Sequence, residues 1–217
     1  MLFNFQGKVN FEVIMKIVLE NKGIKTDTYY VPPFVLHEGE EILLFLFNGG
    51  CFYETEMFIK DIFCGTTKNE NVTLHRKMTF VEHFKESNFR SRFYPTTVGE
   101  YLRKNANLDD PFSKKIFEIE WITSKTKVCE LAGTPRRLLC LYAALSKTKD
   151  IVFDLVGQDP AGAEFTFKMV KEAVKDGGSA ILLDCFNGTK EHASKCIELE
   201  WNDSSLPTNK EFKFNFK

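Results

Sequence analysis

The strongest constraint on this fold lies in the last third of the chain, where apolar strands and helices take turns. Residues 151–156 and 180–183 are short apolar runs, the pattern of strands covered on both faces. Residues 135–145 carry the spacing of a buried helix. Residues 161–174 are amphipathic, begin just after Asp159-Pro160 and stop at Gly177-Gly178, which supplies both ends of a second helix. Residues 196–201 read as one further strand after a short helix. In the tail, Phe212, Phe214 and Phe216 alternate with Lys and Asn as in a half-buried strand. A β-α-β-α-β order predicts a parallel sheet with helices on both faces.

The first third reads differently. Residues 9–19, 28–31 and 42–47 are strand-like, with turn signals at Asn21-Lys22-Gly23, Pro32-Pro33 and Glu38-Gly39, and such short links suit antiparallel pairing. Gly49-Gly50 then interrupts the apolar strand, and residues 53–63 follow with helical spacing at Met57, Phe58 and Ile62. Residues 72–84 alternate weakly and predict a strand pair or an edge. Thr97 with Glu100 three residues later forms a capping box, and residues 111–117 predict another helix. Residues 83–130 have few long apolar runs and read as a small, mostly helical insertion.

Bulk numbers exclude several classes. With 43% hydrophobic residues and 22 Phe, the chain has too much apolar surface to stay disordered. Its net charge of −1 gives no overall field for nucleic acid, so none is expected as a partner. The local clusters Arg90 to Arg92 and Arg136-Arg137 read as solvated surface. No run approaches the roughly 20 apolar residues of a membrane span. The sequence MLFNFQGK lacks the pattern of a secretory leader, so a cytoplasmic location is expected. Six cysteines without a C-x-x-C pair read as scattered core thiols.

The region 130–201 resembles the second half of an ATP-binding-cassette (ABC) transporter ATPase. That family has a signature LSGGQ, a helix of pattern R-Q-R-x-A-L-A-R-A-L, an acidic Walker B strand, a G-L-D-P loop, a helix, and a strand ending at a switch histidine. Here the order is Leu131-Ala132-Gly133-Thr134-Pro135, then Arg136-Arg137-Leu138-Leu139-Cys140-Leu141-Tyr142-Ala143-Ala144-Leu145, the strand 151–156, Gly157-Gln158-Asp159-Pro160, a helix and the strand 180–183. Two earlier segments are also similar: His37-Glu38-Gly39-Glu40-Glu41-Ile42-Leu43 to the strand before the phosphate loop, and Phe93-Tyr94-Pro95-Thr96-Thr97-Val98-Gly99-Glu100-Tyr101-Leu102 to the family's L-Y-P-x-L-T-V-x-E-Y-L. The resemblance implies an α/β, P-loop NTPase-like fold with a mostly parallel sheet, an N-terminal antiparallel β subdomain and a small helical subdomain. It implies one domain over 1–217. The β subdomain falls at about 1–47, the helical insertion at about 83–130, and the α/β core at about 41–82 plus 131–217.

Measured against that family, the chemistry is degraded. The phosphate loop G-x-x-x-x-G-K-[ST] cradles phosphate with backbone N–H groups and a Lys. At its place stand Phe47, Asn48, Gly49, Gly50, Cys51, Phe52 and Tyr53, and the Lys position holds Phe52 or Tyr53. Glu54 and Glu56 follow, and a carboxylate a few Å from phosphate at an effective dielectric near 20 repels it by roughly 4 kcal/mol. Thr55 is expected to face solvent or its own helix. The glutamine-loop position holds Glu82 or His83, and a lone His reads as an exposed polar residue. Depending on register, Asp154 or Leu155 takes the Walker B Asp position, and Leu155 or Val156 replaces the catalytic Glu. Asp154 is the best remaining Mg²⁺ candidate. In the signature, Ala132 replaces Ser, Gly133 matches, Thr134 replaces Gly, and Pro135 removes an N–H just beyond. Asp159 matches the loop aspartate and reads as a helix cap. Phe186 stands at the switch position.

The expectation is therefore a pseudo-ATPase with no catalytic residue, no metal site and weak or absent binding of ATP and Mg²⁺. The resemblance implies an integral-membrane permease partner, a homodimer or heterodimer with another ABC ATPase subunit, and a place at the inner face of the membrane. An alternative is a heteromeric ATPase with one working composite site. A third is a stand-alone scaffold or sensor, redox-responsive through Cys51 or Cys185.

Overall fold

In the computed structural model the described residues are 16–46 and 52–202. The expectations for residues 9–15, for Phe47, Asn48, Gly49, Gly50 and Cys51, and for a tail strand at Phe212 to Phe216 lie outside them. Strands β1 (Ile17–Asn21), β2 (Ile24–Lys25), β3 (Tyr29–Val31), β4 (Phe34–His37) and β5 (Glu41–Phe45) lead to helix α1 (Phe52–Phe63). Next come β6 (Val72–Leu74), β7 (Thr79–Phe80), α2 (Asn88–Phe93) and α3 (Val98–Asn105). The chain continues through α4 (Gly133–Leu145), β8 (Asp150–Phe153), α5 (Pro160–Lys175), β9 (Ser179–Asp184), α6 (Asn187–Lys190), β10 (Cys196–Glu198) and β11 (Glu200–Trp201).

Five parallel strands in the order β10-β5-β9-β8-β7 form the central sheet. The apolar runs explain why. Every residue of β5 is buried, and alternate side chains serve opposite layers. Ile42, Leu44 and Leu46 pack with Ile59, Ile62 and Phe63 of α1, while Leu43 and Phe45 pack with Leu141 and Leu145 of α4 and Phe167, Val170 and Val174 of α5. A strand that must satisfy two layers cannot alternate polar and apolar residues. The short links early in the chain give two antiparallel sheets, β4-β1-β6 and β11-β3-β2.

The weakly alternating stretch 72–84 splits between sheets. β6 pairs with β1 in an antiparallel sheet, and β7 forms the parallel edge beside β8. The single strand expected at 196–201 is also two. β10 pairs with β5, then Leu199 turns into the core with its N–H donating to Phe45 O at 3.2 Å, and β11 pairs with β3. Hydrophobic content alone does not mark such a change of partner.

The segment between β7 and α4 packs onto one face of α4. Val98, Leu102, Ile116, Ile122 and Val128 form a third cluster with Leu138, Leu139 and Tyr142. Thr97 and Glu100 make the reciprocal capping box at the start of α3. Pro111–Glu118 winds as a 3-10 helix instead of an α-helix. The Ser113 hydroxyl donates back to Leu108 O and Asp110 O, and such local side-chain bonds favour the tighter turn. Among the described residues no helix is long and apolar enough to cross a membrane.

Glu41 is a cost the sheet carries. It is 5% exposed on β5, and neither carboxylate oxygen has a hydrogen-bond partner. Burial pushes its carboxyl up to about 8, with the Lys171 charge acting the other way. Between its ordinary value near 4.5 and about 8, the folded chain keeps a proton that the unfolded chain has lost. Stability must then fall as pH rises through that window, by at most about 1.4 kcal/mol per pH unit. Glu41→Gln keeps the shape and removes the ionisation. Urea midpoints measured from pH 5 to 9 should fall less steeply for the variant, whereas parallel curves would show that Glu41 does not carry this slope.

Candidate functional site: a carboxylate saturated by its own chain

The carboxyl ends of β8, β9 and β5 lie side by side in the sheet, and the residues just beyond them define one edge. Asp154 leaves β8 there and is buried. Its Oδ1 accepts the Val156 N–H at 2.9 Å. His83 Nε2 reaches Oδ1 at 3.0 Å and Oδ2 at 2.9 Å. The Arg137 Nη2 lies 3.3 Å from Oδ2, a charge contact without the angle of a hydrogen bond. Arg137 is only 2% exposed, and its other donors are fixed: Nη1 to Val81 O at 2.8 Å and Nε to Asp154 O at 3.2 Å. Burial alone would raise the Asp154 carboxyl, but the His83 hydrogen bond, the Arg137 charge and the Val156 N–H together hold it below the usual carboxylate range.

A fourth group joins from α1. Glu56 is buried beside this cluster, its Oε1 without a hydrogen-bond partner, and burial followed by the Asp154 charge pushes its carboxyl up. Both causes favour the neutral form of Glu56 over its charged form. The cluster thus gathers the buried Arg137, Asp154 and Glu56, with the half-exposed His83 at its rim.

Several expectations change here. Arg137 is no solvated surface residue, because its helix turns it under the sheet edge toward two carbonyls. His83 is 38% exposed by its side chain, yet it is tied to Asp154 and is not a free surface group. Thr55 is buried and does not face solvent. Glu56 points at Asp154, so its repulsive role toward a phosphate does not follow, while Glu54 is exposed as expected. Sequence spacing missed Arg137 and Glu56; for Arg137 the available signal was a charge at the start of the otherwise apolar run of α4.

The signature and loop residues meet each other. Ala132 caps α4 without a side-chain bond. A Cβ on Gly133 would lie 1.8 Å from Gly157 O, so only glycine fits there. The Thr134 hydroxyl donates to Asp159 Oδ2 at 2.6 Å, and Asp159 Oδ1 accepts the Gly162 N–H at 3.0 Å as the N-cap of α5. Pro135 sits in the first turn of α4. Tyr53, Val156 and Phe186 are exposed, and they follow β5, β8 and β9 respectively. Among the described residues no group of three or more His, Cys, Asp or Glu is arranged to hold a metal ion. Of the described cysteines Cys129 is exposed and Cys140 buried, and all are free thiols.

Beside His83 runs a groove of about 680 Å³ between the segment 82–87 and α3. Glu86 anchors one wall by accepting the Thr96 N–H at 2.9 Å and the Thr96 hydroxyl at 2.5 Å. Arg90, Arg103 and Lys104 line it with Glu82 and Glu100. Next to it stands α2, which buries none of its residues. Phe89, Phe93 and Tyr94 are 68%, 58% and 73% exposed, and the two Phe rings meet at a tilt with centroids 5.0 Å apart.

With this geometry in place, known structures can be compared. The chain is similar to a protein described as a metal-chelate-type ABC transporter in an inward-facing conformation, with TM-score 0.64 and 18% identity over 86% of this chain and 80% of that one. It is similar to an ATP-binding protein of Pyrococcus furiosus described as an ABC transporter component, with TM-score 0.63 and 15% identity over 84% of this chain and 97% of that one. A third is cbiO1 from Clostridium perfringens, part of the ABC transporter complex cbiONQ, with TM-score 0.59, 13% identity and 85% of each chain covered. No protein-family model matches the chain, and no curated protein matches its sequence. At these identities the likeness is one of fold: the chain has the α/β, P-loop NTPase-type fold of ABC-transporter ATP-binding subunits.

The buried pair makes a clear thermodynamic demand. Arg137→Met leaves Asp154 charged and uncompensated, and Asp154→Asn leaves Arg137 so; each should destabilise the chain by about 3–5 kcal/mol. The double variant should lose well under the sum, because it strands neither charge. Strict additivity in a double-mutant cycle would show that the two groups do not act as a pair.

Proposed function

We propose that this chain is a non-hydrolysing ABC-type ATPase subunit that serves a membrane transporter by binding, not by turnover. The observation that carries this is the saturation of Asp154. A divalent cation needs open carboxylate oxygens, and here both already face Arg137, His83 or the Val156 N–H. To bind metal, Asp154 would have to release a buried guanidinium that has no other carboxylate within ion-pair distance among the described residues. Beside it, Val156 and Phe186 offer no general base for a water molecule. Binding of ATP and Mg²⁺ is accordingly weak or absent on this reading.

The groove and its aromatic lip support the partner half of the proposal. The structures it resembles are described as parts of transporters, so an integral-membrane permease is the partner that fits, with the chain on the cytoplasmic side. Two exposed rings on a helix that buries nothing, with Tyr94 just past its end, are surface awaiting a partner, and the adjacent mixed charges would fix its register. The composite-site alternative draws less support, since Thr134 and Asp159 bond to each other within the chain.

Titration of the purified chain with ATP and Mg²⁺ should give no saturable binding at millimolar nucleotide and no phosphate release. Robust Mg²⁺-dependent hydrolysis that is lost in Asp154→Ala would overturn the proposal. For the groove, Phe89→Ser with Phe93→Ser should cut recovery of the chain with membranes holding a coexpressed permease by about tenfold, the loss of one or two interface anchors. The thermal midpoint should stay unchanged, and equal recovery would remove the aromatic lip from the docking surface.

A further inference from the structure

A second groove, of about 520 Å³, runs between α3, the 3-10 helix at Pro111–Glu118 and the loop at Ser124 and Lys125. Its walls are fixed by the backbone. The Val98 N–H donates to Thr126 O at 2.8 Å, the Gly99 N–H to Ser124 O at 3.0 Å, and the Val128 N–H to Thr96 O at 2.9 Å. A Cβ on Gly99 would lie 2.9 Å from Ser124 O, so α3 and the loop meet backbone to backbone. Across the groove, the Ser113 hydroxyl ties the 3-10 helix to Leu108 O and Asp110 O. The groove therefore exists before any partner arrives.

Its lining is apolar and basic together. Leu102 is buried in the wall, while Leu108 and Phe117 keep 46% and 37% of their surface open. Arg103, Lys114 and Lys125 stand around them, all exposed, and none makes an ion pair among the described residues. Glu100 is the only carboxylate in the lining, and it is engaged: Oε2 accepts the Thr97 N–H at 3.3 Å, and Oε1 lies 3.5 Å from Arg90 Nη2. Asp109, Asp110 and Glu118 lie outside the lining. In a chain of net charge −1, three unpaired cations around one open apolar groove are a local excess that an anionic partner would neutralise.

We propose that this groove docks a short acidic segment of a partner protein, one large apolar side chain flanked by Asp or Glu. The apolar side chain covers Leu108 and Phe117, and the flanking carboxylates meet Lys114, Lys125 and Arg103. A flat bilayer does not enter a concave groove between two walls, so an anionic membrane is the poorer match. The ends of the chain lack the charge: residues 1–15 hold Lys8 and Glu12, and residues 203–217 hold Lys210, Lys213 and Lys217 against Asp203 and Glu211. Lys114, Phe117 and Lys125 take no part in the groove beside His83, so this contact stands or falls separately from the permease contact.

The test is calorimetry on the full chain with three end-blocked peptides: the acidic EELDFLEDE, its amide counterpart QQLNFLQNQ and its basic counterpart KKLKFLKKK. The acidic peptide should bind saturably and one to one, the amide peptide at least about tenfold more weakly, and the basic peptide not at all. Raising NaCl from about 0.05 to about 0.5 M should weaken the acidic peptide at least about threefold and leave the amide peptide unchanged. Lys114→Glu with Lys125→Glu should weaken the acidic peptide at least about tenfold, and Phe117→Ser at least about threefold, with unchanged circular dichroism spectra. No saturable binding of the acidic peptide, equal affinity for the amide peptide, or indifference to the charge reversal would each overturn the proposal. Cosedimentation with phosphatidylserine vesicles, or a concentration-dependent dimer, abolished by the same reversal would overturn it too, by giving the groove to a membrane or to a second copy. The peptide ranking on the unaltered chain decides the matter even if a variant folds poorly.

Discussion

The Arg137–Asp154 contact is the point through which the layers of this protein communicate. Arg137 projects from α4, yet its three donor atoms end on Val81 O, Asp154 O and the Asp154 carboxylate, at the carboxyl ends of β7 and β8. A buried guanidinium is tolerated only when all sides are met by oxygen, so the position of α4 against the sheet is fixed by that geometry. His83 and Glu56 complete the arrangement from the groove and from α1. Four elements distant in sequence are thus held at one buried charge pair.

That pair sits at the edge of the sheet where folds of this type gather their ligands. Open α/β sheets bind ligands at the carboxyl ends of their strands because loops and helix N-termini gather there. In this chain Asp154, at that edge, is met by groups of its own chain. A guanidinium stands against the carboxylate, and Tyr53, Val156 and Phe186 face outward beyond three adjacent strands. The Thr134–Asp159 bond closes the neighbouring helix starts in the same way. Asp154 and Thr134 thus find their partners within the chain, while Arg137 Nη2 and Glu56 Oε1 stay buried without a hydrogen bond.

Much of the fold was legible in the residues. The apolar runs at 151–156 and 180–183 became β8 and β9, and the Thr97–Glu100 spacing became a capping box. Asp159-Pro160 opened α5 with the cap in place. These are local signals, read from neighbours within a few positions. The same kind of reading placed Arg137 on the surface, Thr55 in solvent or against its own helix, and residues 196–201 in one strand. The places of Arg137 and of the last strand depend on contacts made far along the chain: Arg137 with Val81 and Asp154, and Leu199 with Phe45.

By itself the sequence determined which segments are strands and helices and that the sheet is parallel, because the periodicity of burial is written residue by residue along each element. It also determined that a lysine is missing after Gly49-Gly50, since composition needs no coordinates. Only the tertiary structure decided that Asp154 is a partner to Arg137 and to His83. Charge pairing and burial are properties of distance, and distance between remote residues is set when the layers pack.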